Sequence, residues 1–432
     1  MVSDLNRRSG PPWWMVPHLL VLALMVPLLT VAWLVPVEFH WDLGRSAKYL
    51  DFDAYVLGIA AVASFALGSF LASRGRIASG GLDLEWAAAS PALNRLFRNA
   101  CWVLFGIAVA AYVIWFLPVA RDPSILVDVL AGRWFERDIR DTVGTIPGLT
   151  TLVQAQVVYV TLLAVRWLYL PESRPSRMEK LGLLVIILLS ILRNLIWSER
   201  IAMIEALVPV IVLFLRRPRW PTLTALAPVF GLACLFAFFA VFEYFRSWVA
   251  YYRFHYDSFL VFILARLSGY YITALDNGAG LVHEWSGLAG PLNTADWFWR
   301  LPWEIGQTSL LKALGLDALD SSAWLYWNAS PEFNNTSGIY MPFLDYGAAG
   351  GIVFWFLGGM LTGMLFRRFA CGRISGMLIY PSWFVGLLEL PRILYLCEAR
   401  YFPVIVIALA FIFIANVVAA GEERAAPQKR LL

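Results

Sequence analysis

Charge is scarce in this 432-residue chain: Asp, Glu, Lys and Arg make up 15% of it, against 60% hydrophobic residues. An ordinary soluble domain is about a quarter charged and about half apolar. A water-soluble chain of this length lacks the polar surface to cover so much apolar mass. The composition therefore excludes a soluble enzyme, a nucleic-acid-binding module and a disordered protein, and indicates an all-α polytopic membrane protein. Cysteine and histidine are scarce too. Cys101, Cys234, Cys371 and Cys397 are far apart and mostly inside apolar runs, with no CxxC or Cys/His cluster to suggest a metal or a disulfide frame. His18, His40, His255 and His283 form no H-E-x-x-H pattern, and no Walker loop, G-x-S-x-G or dinucleotide fingerprint is present. ATP-driven transport, metalloprotease and lipase readings lose their usual support, and no metal or cofactor is expected.

What the chain has is long apolar runs. A membrane span takes about 20 residues to cross about 30 Å. Candidate spans cover 13–36, 53–72, 99–120, 148–170, 181–195, 200–216, 220–243, 346–366, 375–392 and 400–420, about ten transmembrane helices. Six loops or termini are rich in basic residues and poor in acids. They hold Arg7 and Arg8; Arg74, Arg76, Arg95 and Arg98; Arg174, Arg177 and Lys180; Arg216, Arg217 and Arg219; Arg367, Arg368 and Arg373; and Arg424, Lys429 and Arg430. The positive-inside rule places these, and both termini, in the cytoplasm. The first apolar run exceeds a signal-peptide core and no A-x-A site follows it, so it reads as a retained span. Lys180 and Arg216 then share a side, the chain between them crosses twice, and the turn at 193–200 sits near the outer surface.

The expected organisation is a seven-span bundle over 1–243, a large outer segment over 244–345 containing short helices, and a three-span bundle with a cytoplasmic tail over 346–432. The stretch 257–275 is apolar but carries Arg266 at its centre. If it crossed, Arg367 and Arg368 would lie outside. It is expected as a buried or membrane-surface helix beneath the outer segment.

Topology does not require basic residues outside, yet the outer loops carry Arg121, Arg133, Arg137, Arg140, Arg193, Arg200, Arg246, Arg253, Arg266, Arg300, Arg392 and Arg400, with lysine limited to Lys48 and Lys312. Guanidinium is planar, always charged and suited to bidentate contact with phosphate oxygens. Arginines lining an outer cavity at membrane depth suit a lipid diphosphate; the competing reading is that each pairs with a neighbouring acid. Glu205, Glu243, Asp345 and Glu389 lie within or beside spans, where carboxylates are costly and face the bundle interior. Glu389 is three residues before Arg392, the spacing of a same-face helix pair. Two polar-aromatic segments complete the pattern. One, at 331–347, gathers Glu332, Asn334, Asn335, Thr336, Ser337, Tyr340, Asp345 and Tyr346; the other, at 268–278, holds Tyr270, Tyr271, Asp276 and Asn277. Amides, hydroxyls and aromatic faces are what sugar recognition uses, although a polar helix entry accounts for the first segment as well.

In this layout, and in the stretches ARLSGYYITALDNG (265–278), EFNNTSGIYMPFLDYGAAGG (332–351) and RNLIWSER (193–200), the chain resembles Wzy-type O-antigen and exopolysaccharide repeat-unit polymerases, relatives of the O-antigen ligases. The resemblance implies a GT-C-like helical bundle in the bacterial plasma membrane, with its active site facing outward. It implies an undecaprenyl-diphosphate-linked oligosaccharide as substrate, bilayer lipid as surroundings and a chain-length regulator as a candidate partner. Diphosphate binding falls on Arg193, Arg200 and Arg266, with Arg392 added from the outer arginines. Sugar binding falls on Tyr270, Tyr271, Asn277, Asn334, Asn335 and Tyr340. Asp345, Glu332 and His283, in that order, are the candidates for the base. The expected reaction is a metal-independent, inverting displacement in which an acceptor hydroxyl attacks the anomeric carbon and lipid diphosphate leaves. Two alternatives stand beside it: an O-antigen ligase or single-transfer GT-C enzyme, and a lipid-oligosaccharide flippase.

Overall fold

The computed structural model describes residues 10–44, 46–75, 82–130, 144, 148–197, 201–216, 220–249, 251–285, 290–299 and 321–425. Its principal helices are α1 (Pro17–Leu34), α2 (Val37–Gly44), α3 (Phe52–Arg74), α4 (Pro91–Arg121), α5 (Ala155–Tyr169), α6 (Arg177–Trp197) and α7 (Ile201–Leu215). They continue with α8 (Pro221–Ala225), α9 (Ala227–Glu243), α10 (Phe259–Glu284), α11 (Ser321–Asn328), α12 (Met341–Ala370), α13 (Ile374–Glu389) and α14 (Phe402–Ala425). Local chemistry sets several starts. The side chains of Asp51, Ser90 and Ser258 accept from backbone N–H groups three residues on, and proline opens the first turn of α1, α4 and α12.

Six helices, α1, α3, α4, α10, α12 and α14, are long and apolar enough to cross a membrane. The chain is a polytopic, all-helical protein of membrane composition. Helices α5, α7, α9 and α13 are apolar but shorter. Hydrogen bonds sort the helix ends into two sets. At one end, here the lower, Trp13 and Trp14 donate to Ala225 and Thr224 carbonyls, Arg216 donates to the Phe369 and Ala370 carbonyls, and Ala92 N–H meets Glu422. At the upper end, Lys48 caps α1 through the Trp33 and Val35 carbonyls, Tyr340 OH donates to Ala54, and Gly338 N–H to Leu390. By these bonds α1 and α12 run the full distance between the two ends, α4, α7, α9 and α14 each have an end in the lower set, and α3 and α13 each have one in the upper set. The lower end gathers Arg74, Arg95, Arg98, Arg174, Arg177, Arg216, Arg367, Arg368, Arg373 and Arg424.

The tightest packing joins α3 to α12. A Cβ on Gly359 would lie 2.1 Å from the Phe65 carbonyl oxygen, one on Gly363 2.4 Å from that of Ser69, and one on Gly68 2.2 Å from that of Phe356. Small residues four apart let two backbones touch, which is how helices associate where lipid is as apolar as leucine. This platform fixes Tyr340 and the start of α12 over Ala54.

Helix α10 corrects one expectation. The outer segment was expected to contain short helices, and it holds one of 26 residues. The apolar run continues on both sides of Arg266, whose charge is paired. Its two halves contact the same end of the bundle: Arg266 meets Glu243 at the end of α9, while Asp276 accepts the N–H groups of Tyr49 and Leu50 before α3 at 2.8 and 2.7 Å. The helix therefore runs across the upper end. Its first half is buried on one side and its second half on all sides, from Ile272 to Leu281.

The glycine contacts generate a paired test. Gly359→Leu should destabilise the purified protein by about 1–3 kcal/mol or more, the usual cost of overpacking, read as a lower thermal midpoint in detergent. Gly358→Leu, next to it but with no atom within 4 Å of a new Cβ, should leave the midpoint unchanged. Equal midpoints for both variants would refute a close α3–α12 contact.

Candidate functional site

The upper end concentrates the polar residues, and its centre is Arg266. This side chain is 6% exposed. Its Nε donates to Glu243 Oε2 at 2.8 Å and its Nη1 pairs with Glu332. Its guanidinium carbon lies 5.2 Å from the ring centres of Tyr252 and Phe333. Glu243 is fully buried, whereas the Glu332 side chain is 45% exposed. Tyr252 donates its hydroxyl to Glu332 Oε1 at 2.7 Å, and burial followed by that carboxylate pushes the phenol above its usual range, so it stays a donor.

One helical turn on, Tyr270 packs edge-on against Phe333 and Phe239, with ring centres 5.2 and 5.5 Å away. Arg392 covers its other side, 5.7 Å from the ring centre. Arg392 Nη1 donates to Glu389 Oε2 at 2.9 Å, the pair its spacing predicts, while its buried Nε has no partner. Such an orphan costs about 1–3 kcal/mol. Arg266, Arg392, Tyr270, Glu332 and Glu243 are thus brought to one place.

Other predicted residues take different positions. Arg193 is buried with its guanidinium carbon 4.7 Å from the Trp115 ring centre. On the same helix Ser190, with Tyr112 of α4, donates to Gln156 Oε1 at 3.0 and 2.8 Å. This is a second polar cluster between α4, α5 and α6, and Gln156 Nε2 and both amide atoms of Asn194 are buried there without partners. Glu205, within a span, is gripped by Arg400 through Nε at 2.6 Å and Nη2 at 3.0 Å, and by the Tyr395 hydroxyl at 2.7 Å. Arg200, like Arg133, Arg137, Arg140, Arg300 and Lys312, lies outside the described residues.

Asp345 is 3% exposed, and its acceptor positions are filled. Asn293 and Thr294 give it their backbone N–H groups, at 3.0 and 2.7 Å, and their side chains, at 2.8 and 2.7 Å. The kink at Gly347, whose φ is 68°, turns this residue toward the 290–296 loop, so its geometry is that of a loop anchor. Asn277 Nδ2 donates to the Phe333 and Asn335 carbonyls at 2.8 and 2.9 Å and thereby holds the segment that presents Glu332. Tyr340 is buried against α3, Asn334 is exposed, and Asn335 and Tyr271 are half-buried. His283 lies 3.4 Å from Asp51 Oδ2. It is 17 positions beyond Arg266 on one helix, about 25 Å at 1.5 Å per residue, so the two belong to different parts of the upper end. Burial, with Lys48 nearby, pushes His40 down to about 4, leaving it neutral 3.6 Å from Asp276.

Sequence reasoning overlooked Tyr252 and Phe333. The run of tyrosines and arginine at 251–257 was the available signal for the first. Neither a family model, nor a curated protein, nor a solved structure matches the chain.

The asymmetry between the two partners of Arg266 is measurable. Arg266→Ala removes the guanidinium from the fully buried Glu243 and should cost about 3–5 kcal/mol. Glu332→Ala removes a half-exposed partner and should cost about 1 kcal/mol or less. Thermal unfolding in detergent reads both, and the reverse order would contradict this assignment.

Proposed function

We propose that the protein is a membrane glycosyltransferase that polymerises lipid-diphosphate-linked oligosaccharide repeat units into O-antigen or exopolysaccharide, as the Wzy-type polymerases it resembles do. The arginine-rich lower end faces the bacterial cytoplasm, in keeping with the positive-inside rule. The upper end faces outward and receives an undecaprenyl-diphosphate-linked oligosaccharide. The observation that carries this reading is the convergence of two arginines, an exposed carboxylate and two aromatic rings at Arg266, Arg392, Glu332, Tyr270 and Phe333.

In this reaction an acceptor sugar hydroxyl attacks the anomeric carbon of the donor. The new glycosidic bond forms as the bond to the diphosphate oxygen breaks, with inversion, and the acceptor proton passes to a carboxylate. Glu332 suits that role because it reaches solvent, while Asp345 is committed to the 293–294 loop. Incoming diphosphate replaces Glu332 on Arg266 and occupies the open donor of Arg392. That exchange frees the base as it seats the leaving group. Guanidinium groups aimed at those oxygens stabilise charge that grows in the transition state. Glu243 stays behind and keeps Arg266 in place. Diphosphate is a good leaving group, so a carboxylate is a sufficient base.

Purified protein given the lipid-diphosphate-linked repeat unit should produce a ladder of polymer lengths. Glu332→Gln and Arg392→Ala should each slow it by about 100-fold or more, and for Glu332→Gln the thermal midpoint should stay near that of the native chain. A wild-type ladder from Glu332→Gln would overturn the base assignment. A single added unit would point to the ligase-type alternative, and translocation of the lipid-linked sugar without bond formation to a flippase.

A further inference from the structure

Helices α4 and α6 start side by side at the lower end. Ala92 N–H meets Glu422 there, and Ser173 Oγ, just before α6, donates to the Asn94 carbonyl of α4 at 3.4 Å. Two turns higher, Gly182 lets the helices approach. A Cβ on it would lie 2.9 Å from the Tyr159 hydroxyl of α5 and 3.2 Å from the Phe105 ring of α4.

The two flanks of this contact differ. On one, Ala108 of α4 and Glu179 and Ile186 of α6 are buried toward α5, where Tyr159 OH donates to the Glu179 carbonyl and Arg166 pairs with its carboxylate. On the other, Trp102 stands edge-on to Phe105 with ring centres 5.9 Å apart and is 42% exposed, while Met178 and Leu181 of α6 are 63% and 51% exposed. Both helices point the same way, so the helical repeat puts Trp102, Met178 and Leu181 on one side of the Phe105–Gly182 contact. The result is an apolar seam with α4 and α6 as its walls.

The lower mouth of the seam is basic. Arg98 lies two turns before Phe105 on the same face of α4, with Arg95 one turn further down. Arg174 follows Ser173, and Arg177 opens α6. All four arginines are exposed, and among the described residues none has a carboxylate within ion-pair reach. Of the neighbouring acids, Glu179 is buried and held by Arg166, which leaves the exposed Glu172.

We propose that this seam binds an anionic phospholipid, its phosphate on Arg98 and Arg174 and its acyl chains along Trp102, Met178 and Leu181. Four exposed guanidinium groups beside one exposed carboxylate set the sign of the head group, and their planar donors match phosphate oxygens. Trp102 is suited to the boundary between head group and chain. The exposed apolar flank of α4 runs on from Trp102 to Val113, about 16 Å at 1.5 Å per residue, the depth of one leaflet of a core about 30 Å thick. Bound there, the lipid clamps α4 to α6 below the Tyr112–Gln156–Ser190 cluster. The site lies at the opposite end from Arg266, and the inference does not depend on the transferase reading.

The test is photolabelling of the full-length protein in phosphatidylcholine nanodiscs by a trace of phosphatidylglycerol that carries a diazirine on one acyl chain. Label is expected on α4 and α6 near Trp102, Met178 and Leu181. Unlabelled phosphatidylglycerol should compete about tenfold better than added phosphatidylcholine or water-soluble glycerophosphoglycerol. Arg98→Ala combined with Arg174→Ala, two exposed side chains, should cut labelling by about tenfold or more. Arg368→Ala, an exposed arginine of α12 at the same end, should leave it unchanged. Equal competition by phosphatidylcholine means ordinary boundary lipid and overturns the proposal. Equal competition by glycerophosphoglycerol means a head-group site without an acyl seat and overturns it too, as does undiminished labelling of the double variant.

Discussion

A guanidinium buried among apolar side chains must keep its counter-charges, and at Arg266 that requirement organises the upper end of the molecule. Glu243 comes from α9, Arg266 from α10 and Glu332 from the segment before α12. Three elements far apart in sequence are tied by one group whose desolvation would otherwise cost several kcal/mol. The two carboxylates are unequal. Glu243 has no route to water, so its pairing is permanent. Glu332 reaches solvent, so its pairing is exchangeable. That inequality makes a structural ion pair usable by a substrate anion.

The rest of the bundle supplies a rigid reference for this exchange. The glycine contacts between α3 and α12 bring two backbones together and fix Tyr340, the 333–340 segment and, through Asn277, the start of the Glu332 loop. Across the site, Glu389 holds Arg392 on the turn between α13 and α14, while Glu205 holds Arg400 on the same turn. Helix α9 is buried at Phe239 and Glu243 and exposed from Val229 to Cys234.

Much of this was legible in the residues. Apolar runs mark the membrane composition and the long helices, and the basic residues mark one end of them. The clash between Arg266 and the arginine pair after α12 points to a helix beneath the outer segment; α10 is long and apolar enough to cross a membrane, and both its halves meet the same end of the bundle. Partner choice was not legible. Glu243 and Arg266 were each visible as costly charges, but 23 positions separate them, and nothing in one sequence joins such residues. Asp345 ranks first as base in the sequence because it lies at the mouth of a span, in the polar segment 331–347. The loop residues Asn293 and Thr294 that engage its oxygens lie about fifty positions earlier. Sequence reasoning overlooked the GxxxG spacing at Gly359 and Gly363, and the helix it meets depends on the fold.

The central claim is that diphosphate competes with Glu332 for Arg266. Binding of undecaprenyl diphosphate to detergent-purified wild type and to Glu332→Gln tests it most directly. If the carboxylate must be displaced, the amide variant, with no charge to compete, binds tighter by about tenfold or more, a gain of about 1.4 kcal/mol. Equal or weaker binding by Glu332→Gln would contradict the exchange and leave the Arg266–Glu332 pair as a structural clasp.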